Sequence, residues 1–132
     1  MKLIPLSVNF RDERGAITDI LEAEQINAVT LVTFRKGAVR GNHYHKQTVQ
    51  YNFCLSGSIE LVTQVQEGPR QSAVLNTGDL ASVAEMEAHA LRALQDSELL
   101  VFTRGPRGGK EYETDTYRLD KPLIRVASCN GI

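Results

Sequence analysis

The sequence has no apolar run approaching the ~20 residues that a membrane-crossing helix needs, so nothing in it reads as a membrane span. It has no excess of either charge. Fifteen basic against 16 acidic residues give a net charge of −1, and no basic stripe of the kind that neutralises a phosphate backbone is present. Neither nucleic acid nor a membrane is therefore an expected partner. Cysteine is scarce, with Cys54 inside an apolar run and Cys129 near the end of the chain, which is too few for a disulfide framework. Reduced thiols are expected, with a contact between Cys54 and the tail as the alternative. The opening Met1-Lys2-Leu3-Ile4-Pro5 lacks the apolar core and small-residue cleavage site of a secretory signal, and a cytoplasmic address is the expectation. Repeats and low-complexity tracts are also missing. Helical patterning is sparse, and only residues 19–27 could form a helix, a short one.

What the 132 residues do contain is a series of short β-branched and apolar runs punctuated by Gly, Asn and Asp. With 42% apolar and 23% charged residues the composition suits one domain with one core and one pocket. Residues 10–17 read as an N-terminal hairpin turning at Gly15. Strands are expected at 28–34, 49–55, 58–65, 72–75, 80–83, 89–94 and 98–103. Ser56-Gly57 has the spacing of a hairpin turn between the second and third of these. The segment Gly105-Pro106-Arg107-Gly108-Gly109-Lys110 interrupts the pattern. These features predict an all-β fold, a barrel or sandwich with its core at about 28–104 and a C-terminal arm at about 105–132 that lies across it or protrudes.

Only three histidines occur, and two form His43-Tyr44-His45. Strand period sends residues two apart to one face, so both imidazoles point the same way. Two rings held by neighbouring strands suit a metal ion or a base with its helper, and they also suit an ordinary pair of core histidines. Spacing adds more. Gly37, five residues, His43-x-His45, four residues, Gln50, six residues and Gly57 reproduce the first cupin motif, with Gln in place of its usual Glu. Gly78 and His89 fall where the second motif places a Gly and a His, while Ala84, Met86 and Ala93 replace its usual Pro, Gly and Asn. The chain thus resembles the cupins, which implies a double-stranded β-helix, or jelly-roll barrel, of a single domain over residues 1–132.

Within cupins, Arg40-Gly41-Asn42-His43-Tyr44-His45-Lys46 with Gln50 resembles the nucleotide-sugar 3,4-ketoisomerases, which act on dTDP-4-keto-6-deoxyglucose. More distantly, Arg40-Gly41-Asn42-His43-Tyr44 and Ala88-His89 resemble the RmlC-like dTDP-sugar 3,5-epimerases. The resemblance implies an isomerase of carbohydrate metabolism that moves a proton next to the carbonyl of a nucleotide-linked keto sugar without a cofactor. His43 and His45 would be the base and its acid or orienting partner. Arg40, Gln50, His89 and Lys46 would touch substrate, and the protein would form a homodimer. One departure stands out. The tyrosine that such enzymes place near the pocket has no clear counterpart, since Phe34 and Phe102 occupy the approximate positions and Tyr51, Tyr112 and Tyr117 are the remaining donors.

Gln50 divides two alternatives, because an amide oxygen is a weak neutral ligand where a carboxylate would attract a divalent ion. His43, His45 and His89, with or without Gln50, could hold zinc, iron, manganese or nickel in the three-histidine site of a metalloenzyme. Gln50 could equally be an inward polar group bonded to its neighbours, Lys46 a solvated cation and Cys54 a small core residue. A third alternative is a non-catalytic, small-molecule-binding cupin.

Overall fold

The computed structural model describes residues 1–109 and 111–126, with the side chain of Tyr112 also outside the described set. Its strands are β1 (Lys2–Ile4), β2 (Phe10–Asp12), β3 (Gly15–Ile17), β4 (Ala28–Phe34), β5 (Val39–Tyr44), β6 (Val49–Ser56), β7 (Ser58–Val65), β8 (Arg70–Asn76), β9 (Leu80–Val83), β10 (Glu87–Ala93), β11 (Ser97–Arg104) and β12 (Tyr117–Arg118), with one 3-10 turn at Glu111–Asp115. They form two five-stranded antiparallel sheets, ordered β1-β9-β6-β11-β4 and β12-β5-β10-β7-β8, beside the separate hairpin β2-β3. This is the expected all-β jelly roll.

Alternation along the strands explains the layering. In β11 the odd-numbered Ser97, Leu99, Val101 and Thr103 are buried and the residues between them are not, as the two-residue pleat requires. Leu99 and Val101 meet Ile59, Leu61, Leu75 and Leu91 from the other sheet in the main core. Ile59, Leu61 and Leu75 are fully buried, and each such side chain contributes about 2 kcal/mol. Two smaller clusters cover the outer faces. Ile4, Leu6, Ile20, Leu21 and Ile26 pack on Val49, Tyr51 and Leu80 of the first sheet, while Leu123 and Ile124 pack on Val62, Ala88 and Ala90 of the second.

The structure corrects two expectations. Residues 19–27 form no helix. Ile20, Leu21 and Ile26 would spread over more than half the circumference of a helix, whereas an extended path with Ala23 at φ 56° lays all three on one sheet. Ser56-Gly57 is not a hairpin turn either. β6 pairs with β9 and β11, whereas β7 pairs with β8 and β10, so the chain changes sheets at Gly57. The alternation of apolar residues is the same for a hairpin and a corner, and only the pairing distinguishes them.

β1 was not anticipated. It adds an edge strand to β9, and the Met1 amine pairs with the buried Glu87 carboxylate while also meeting Gln71 Oε1 at 2.9 Å. Cys54 is a fully buried core residue whose thiol donates to the Ser56 carbonyl. Cys129 lies outside the described residues.

Gly57 sits at φ 94°, and a Cβ there would lie 2.6 Å from the Asp96 carbonyl oxygen and 2.2 Å from Ser97 Oγ. Replacing it with alanine is expected to cost about 2 kcal/mol or more through strain and clash together, read as a lower urea midpoint at an unchanged m-value.

Candidate active site

Three neighbouring stretches bring the imidazoles together. His43 and His89 lie on paired strands, directly opposite each other in the register of β5 and β10. His45 follows just beyond β5, where the Met86 N–H donates to its carbonyl oxygen at 2.6 Å. The ring centroids are 4.9 Å apart for His43 and His45, 4.7 Å for His43 and His89, and 5.2 Å for His45 and His89.

Close approach depends on Gly41. A Cβ at this position would lie 2.9 Å from the His89 carbonyl oxygen, and the register of the pair shifts between His89 and Ala90. Asn42 follows in the left-handed region at φ 59°, a conformation that Asn tolerates better than most residues. Its amide group bonds the backbone of Leu123 and Ile124, tying the C-terminal arm to β5.

Hydrogen bonds fix which ring nitrogens face inward. His45 Nδ1 lies 2.7 Å from the Asp115 carbonyl oxygen, which can only accept, so Nδ1 carries a proton and in the neutral ring Nε2 holds the lone pair. His89 Nδ1 makes a longer contact of 3.4 Å with the Glu87 carbonyl oxygen, leaving Nε2 as a buried nitrogen without a partner among the described residues. The same logic orients Gln50. Asn52 Nδ2 donates to the Ala81 carbonyl, so Asn52 Oδ1 accepts from Gln50 Nε2 at 2.7 Å and Gln50 Oε1 is the atom left over. His45, His89 and Gln50 thus each turn an acceptor inward.

Burial also sets protonation. It lowers His43 to about 4, with His45 and Arg118 adding to the effect, and lowers His89 to about 3, with His43 and His45 adding. Both rings are neutral at pH 7. One candidate ligand atom from each of His43, His45 and His89 lies within 4.8 Å of the others. Nitrogens sharing one zinc ion at about 2.1 Å would be no more than about 4.2 Å apart, which is the same scale as this cluster.

The imidazoles and Gln50 open into a cavity of about 640 Å³. Val32, Phe34, Leu91, Leu99 and Val101 form its apolar wall, and Arg40, Arg107 and Arg118 supply three guanidiniums. Among the described residues no carboxylate lines it. Arg40 is steadied by the Thr33 carbonyl at 3.2 Å and lies over the Phe34 ring.

Of the residues singled out from sequence, His43, His45, His89, Gln50 and Arg40 line this cavity and Lys46 does not. The Lys46 ammonium sits 4.3 Å from the centroid of Tyr117, which in turn stacks on Tyr44. Phe34 reaches the cavity, whereas Phe102 packs with the outer cluster around Tyr51. Neither Tyr51 nor Tyr117 lines the cavity, and the Tyr112 side chain lies outside the described set. Arg107, Thr116 and Arg118 escaped the sequence reading because they come from the arm, and no local pattern predicts where an arm folds back.

The profile of a family described as "Polysaccharide biosynthesis C-terminal domain" matches residues 10–117. No curated protein matches in sequence. Among solved structures, a dTDP-4-dehydrorhamnose 3,5-epimerase from Sulfolobus tokodaii is similar over 96% of this chain and 88% of its own, with 19% identity and a TM-score of 0.74. A double mutant of the QdtA 3,4-ketoisomerase from Thermoanaerobacterium thermosaccharolyticum, in complex with TDP, is similar over 89% and 86%, with 26% identity and a TM-score of 0.71. CapF, solved with the inhibitor 3-isopropenyl-tropolone, is similar over 89% of this chain but only 35% of its own, with 18% identity and a TM-score of 0.64. The fold is that of the RmlC-like cupins.

Neutral burial of His43 and His89 has a measurable consequence in metal-free protein. Above pH 6.5 both states are unprotonated at these rings and stability is full. As pH falls from about 6.5 toward about 4, the unfolded chain takes up protons that the folded chain refuses, and stability drops. The slope is about 1.4 kcal/mol per pH unit for each proton involved. Urea unfolding at pH 7 and pH 5 should show this loss, and His89→Asn should flatten it.

Proposed function

Because this chain belongs to the polysaccharide biosynthesis C-terminal domain family, we propose that it is a sugar-isomerase-type cupin that moves a proton next to the carbonyl of a nucleotide-linked keto sugar. The observation that carries this proposal is the pairing of a cluster of three imidazoles with three arginines around one cavity. Guanidiniums around a cavity suit an anionic diphosphate, and the apolar wall suits a sugar ring. A structural relative bound to TDP supports the same ligand class.

His45 is the candidate base, because its Nε2 lone pair is held ready by the bond at Nδ1. His43 and His89, lowered by burial, are weak bases that keep the pocket neutral. Removal of the proton α to the carbonyl leaves an enediolate, and its charge is drawn toward Arg40. The hydroxyl proton of the enediolate passes to the former carbonyl oxygen, and return of the proton from Nε2 to the former carbonyl carbon completes the isomerisation.

A second reading is favoured by the buried, unpartnered Nε2 of His89 and by the acceptors that His45 and Gln50 turn inward beside it. His43, His45 and His89, with Gln50 Oε1 as a further neutral oxygen, would hold zinc, iron, manganese or nickel. An ion there would polarise the sugar carbonyl as a Lewis acid. With Phe34 rather than a tyrosine on the wall, a cupin that binds such sugars without chemistry is the third reading.

One experiment separates the three. Protein purified without added metal is analysed for metal and tested for solvent deuterium incorporation beside the keto group over dTDP- and GDP-linked 4-keto sugars. Exchange by metal-free protein, reduced ~100-fold or more in His45→Asn, supports the leading proposal. Stoichiometric metal, lost in His89→Ala together with exchange, replaces it with the second, and sugar binding without exchange replaces it with the third.

A homodimer is also proposed. β4 is an edge strand whose outward Val29 and Leu31 are 59% and 54% exposed, with Leu55 on the same sheet 41% exposed. An apolar edge of this kind is commonly covered by a second copy. Light scattering should give twice the chain mass and Leu31→Asp should halve it. A monomeric wild type overturns the proposal.

A further inference from the structure

The C-terminal arm crosses the second sheet at the imidazole cluster. β12 pairs with β5 so that Arg118 lies opposite His43 and Tyr117 opposite Tyr44. Thr116 and Arg118 join the cavity wall. Just before them, Asp115 is 1% exposed, unusually buried for a carboxylate. Its Oδ1 accepts from the Lys46 N–H at 3.0 Å, and its Oδ2 accepts from the Gln47 N–H and the Thr48 hydroxyl, both at 2.9 Å. All three donors lie in the loop that leaves His45. The backbone carbonyl of the same residue receives His45 Nδ1 at 2.7 Å.

We propose that Asp115 is a positioning residue: its carboxylate clamps the arm to the 46–48 loop so that its carbonyl holds His45 as the Nδ1–H tautomer with Nε2 turned into the cavity. The proposal rests on His45 being the working imidazole, with or without an ion at Nε2. A free neutral imidazole exchanges its proton between both nitrogens, and only one arrangement leaves Nε2 as an acceptor. A carbonyl is an unambiguous acceptor, but an arm carbonyl keeps its place only while the arm does. Three hydrogen bonds to one buried carboxylate supply that rigidity. Asn42 anchors the arm on the far side through Leu123 and Ile124, so the segment between is fixed at both ends. A residue that only capped the loop would need the carboxylate contacts, not the contact to the ring.

The test is nitrogen-15 NMR of the histidine rings in the full chain, combined with steady-state kinetics. Wild type should show His45 protonated at Nδ1 and bare at Nε2. In Asp115→Ala the two tautomers should mix, kcat should fall ~10-fold or more and KM should change less than about twofold. Thr48→Val removes only one of the three bonds and should shift the tautomer ratio and kcat in the same direction by less, so it decides the matter where Asp115→Ala does not fold. Nε2–H in wild type overturns the proposal, and so does an unchanged tautomer in a folded Asp115→Ala. If wild type acts on no keto sugar, the functional proposal fails while the ring spectrum still judges Asp115 by itself.

Discussion

Three imidazoles whose candidate ligand atoms lie within 4.8 Å of one another repel once more than one of them is protonated. Two protonated rings about 5 Å apart would repel by about 3 kcal/mol even at an effective dielectric of about 20. Burial works in the same direction at His43 and His89, which stay neutral and present lone pairs. Neutral nitrogens still need partners or a purpose. His45 finds a partner in the arm, His89 makes only a long contact to its own strand, and His89 Nε2 finds none. A buried acceptor left without a donor costs about 1–3 kcal/mol, and a site that faces ligand is where such a cost is tolerated.

The rest of the fold serves this convergence. Two sheets press a hydrophobic core between them and leave one end open, where β5, β10 and the arm meet. Gly41 lets β5 come close enough to β10 for His43 and His89 to face each other, and Asn42 bends the backbone and ties down the arm. The N-terminal segment covers one outer face and the C-terminal arm the other. The two coverings differ in consequence, because only the arm also supplies cavity wall.

The cavity lining combines two kinds of group. The imidazoles and Gln50 offer hydrogen-bond acceptors, and Arg40, Arg107 and Arg118 offer donors that suit an anion. A ligand with a neutral polar end and an anionic end satisfies both. Lys46, also cationic, lies outside the cavity lining, with its ammonium over the Tyr117 ring.

Strand positions were legible because the alternation of β4 and β11 is a local property of a half-buried pleat, and β7 and β9 are short apolar runs between turn residues. The inner histidines were legible as well, since a spacing of two in extended chain gives His43 and His45 a common face, even though β5 ends at Tyr44, and the resemblance to the cupin motifs places the third. The weak helix at residues 19–27 and the hairpin at Gly57 misled, because local patterning does not say which surface an extended segment will cover or which strand a corner will join. The arm's share of the site, Asp115, Thr116 and Arg118 with the carbonyl that selects the His45 tautomer, was equally invisible. By itself the sequence determined an all-β chain with His43 and His45 on one face, since residue type and period suffice for that, and its motif spacing resembled the cupins closely enough to add His89. Only the tertiary structure decided which nitrogens face the cavity and which cations ring it, because both depend on hydrogen bonds and contacts between residues some 70 positions apart.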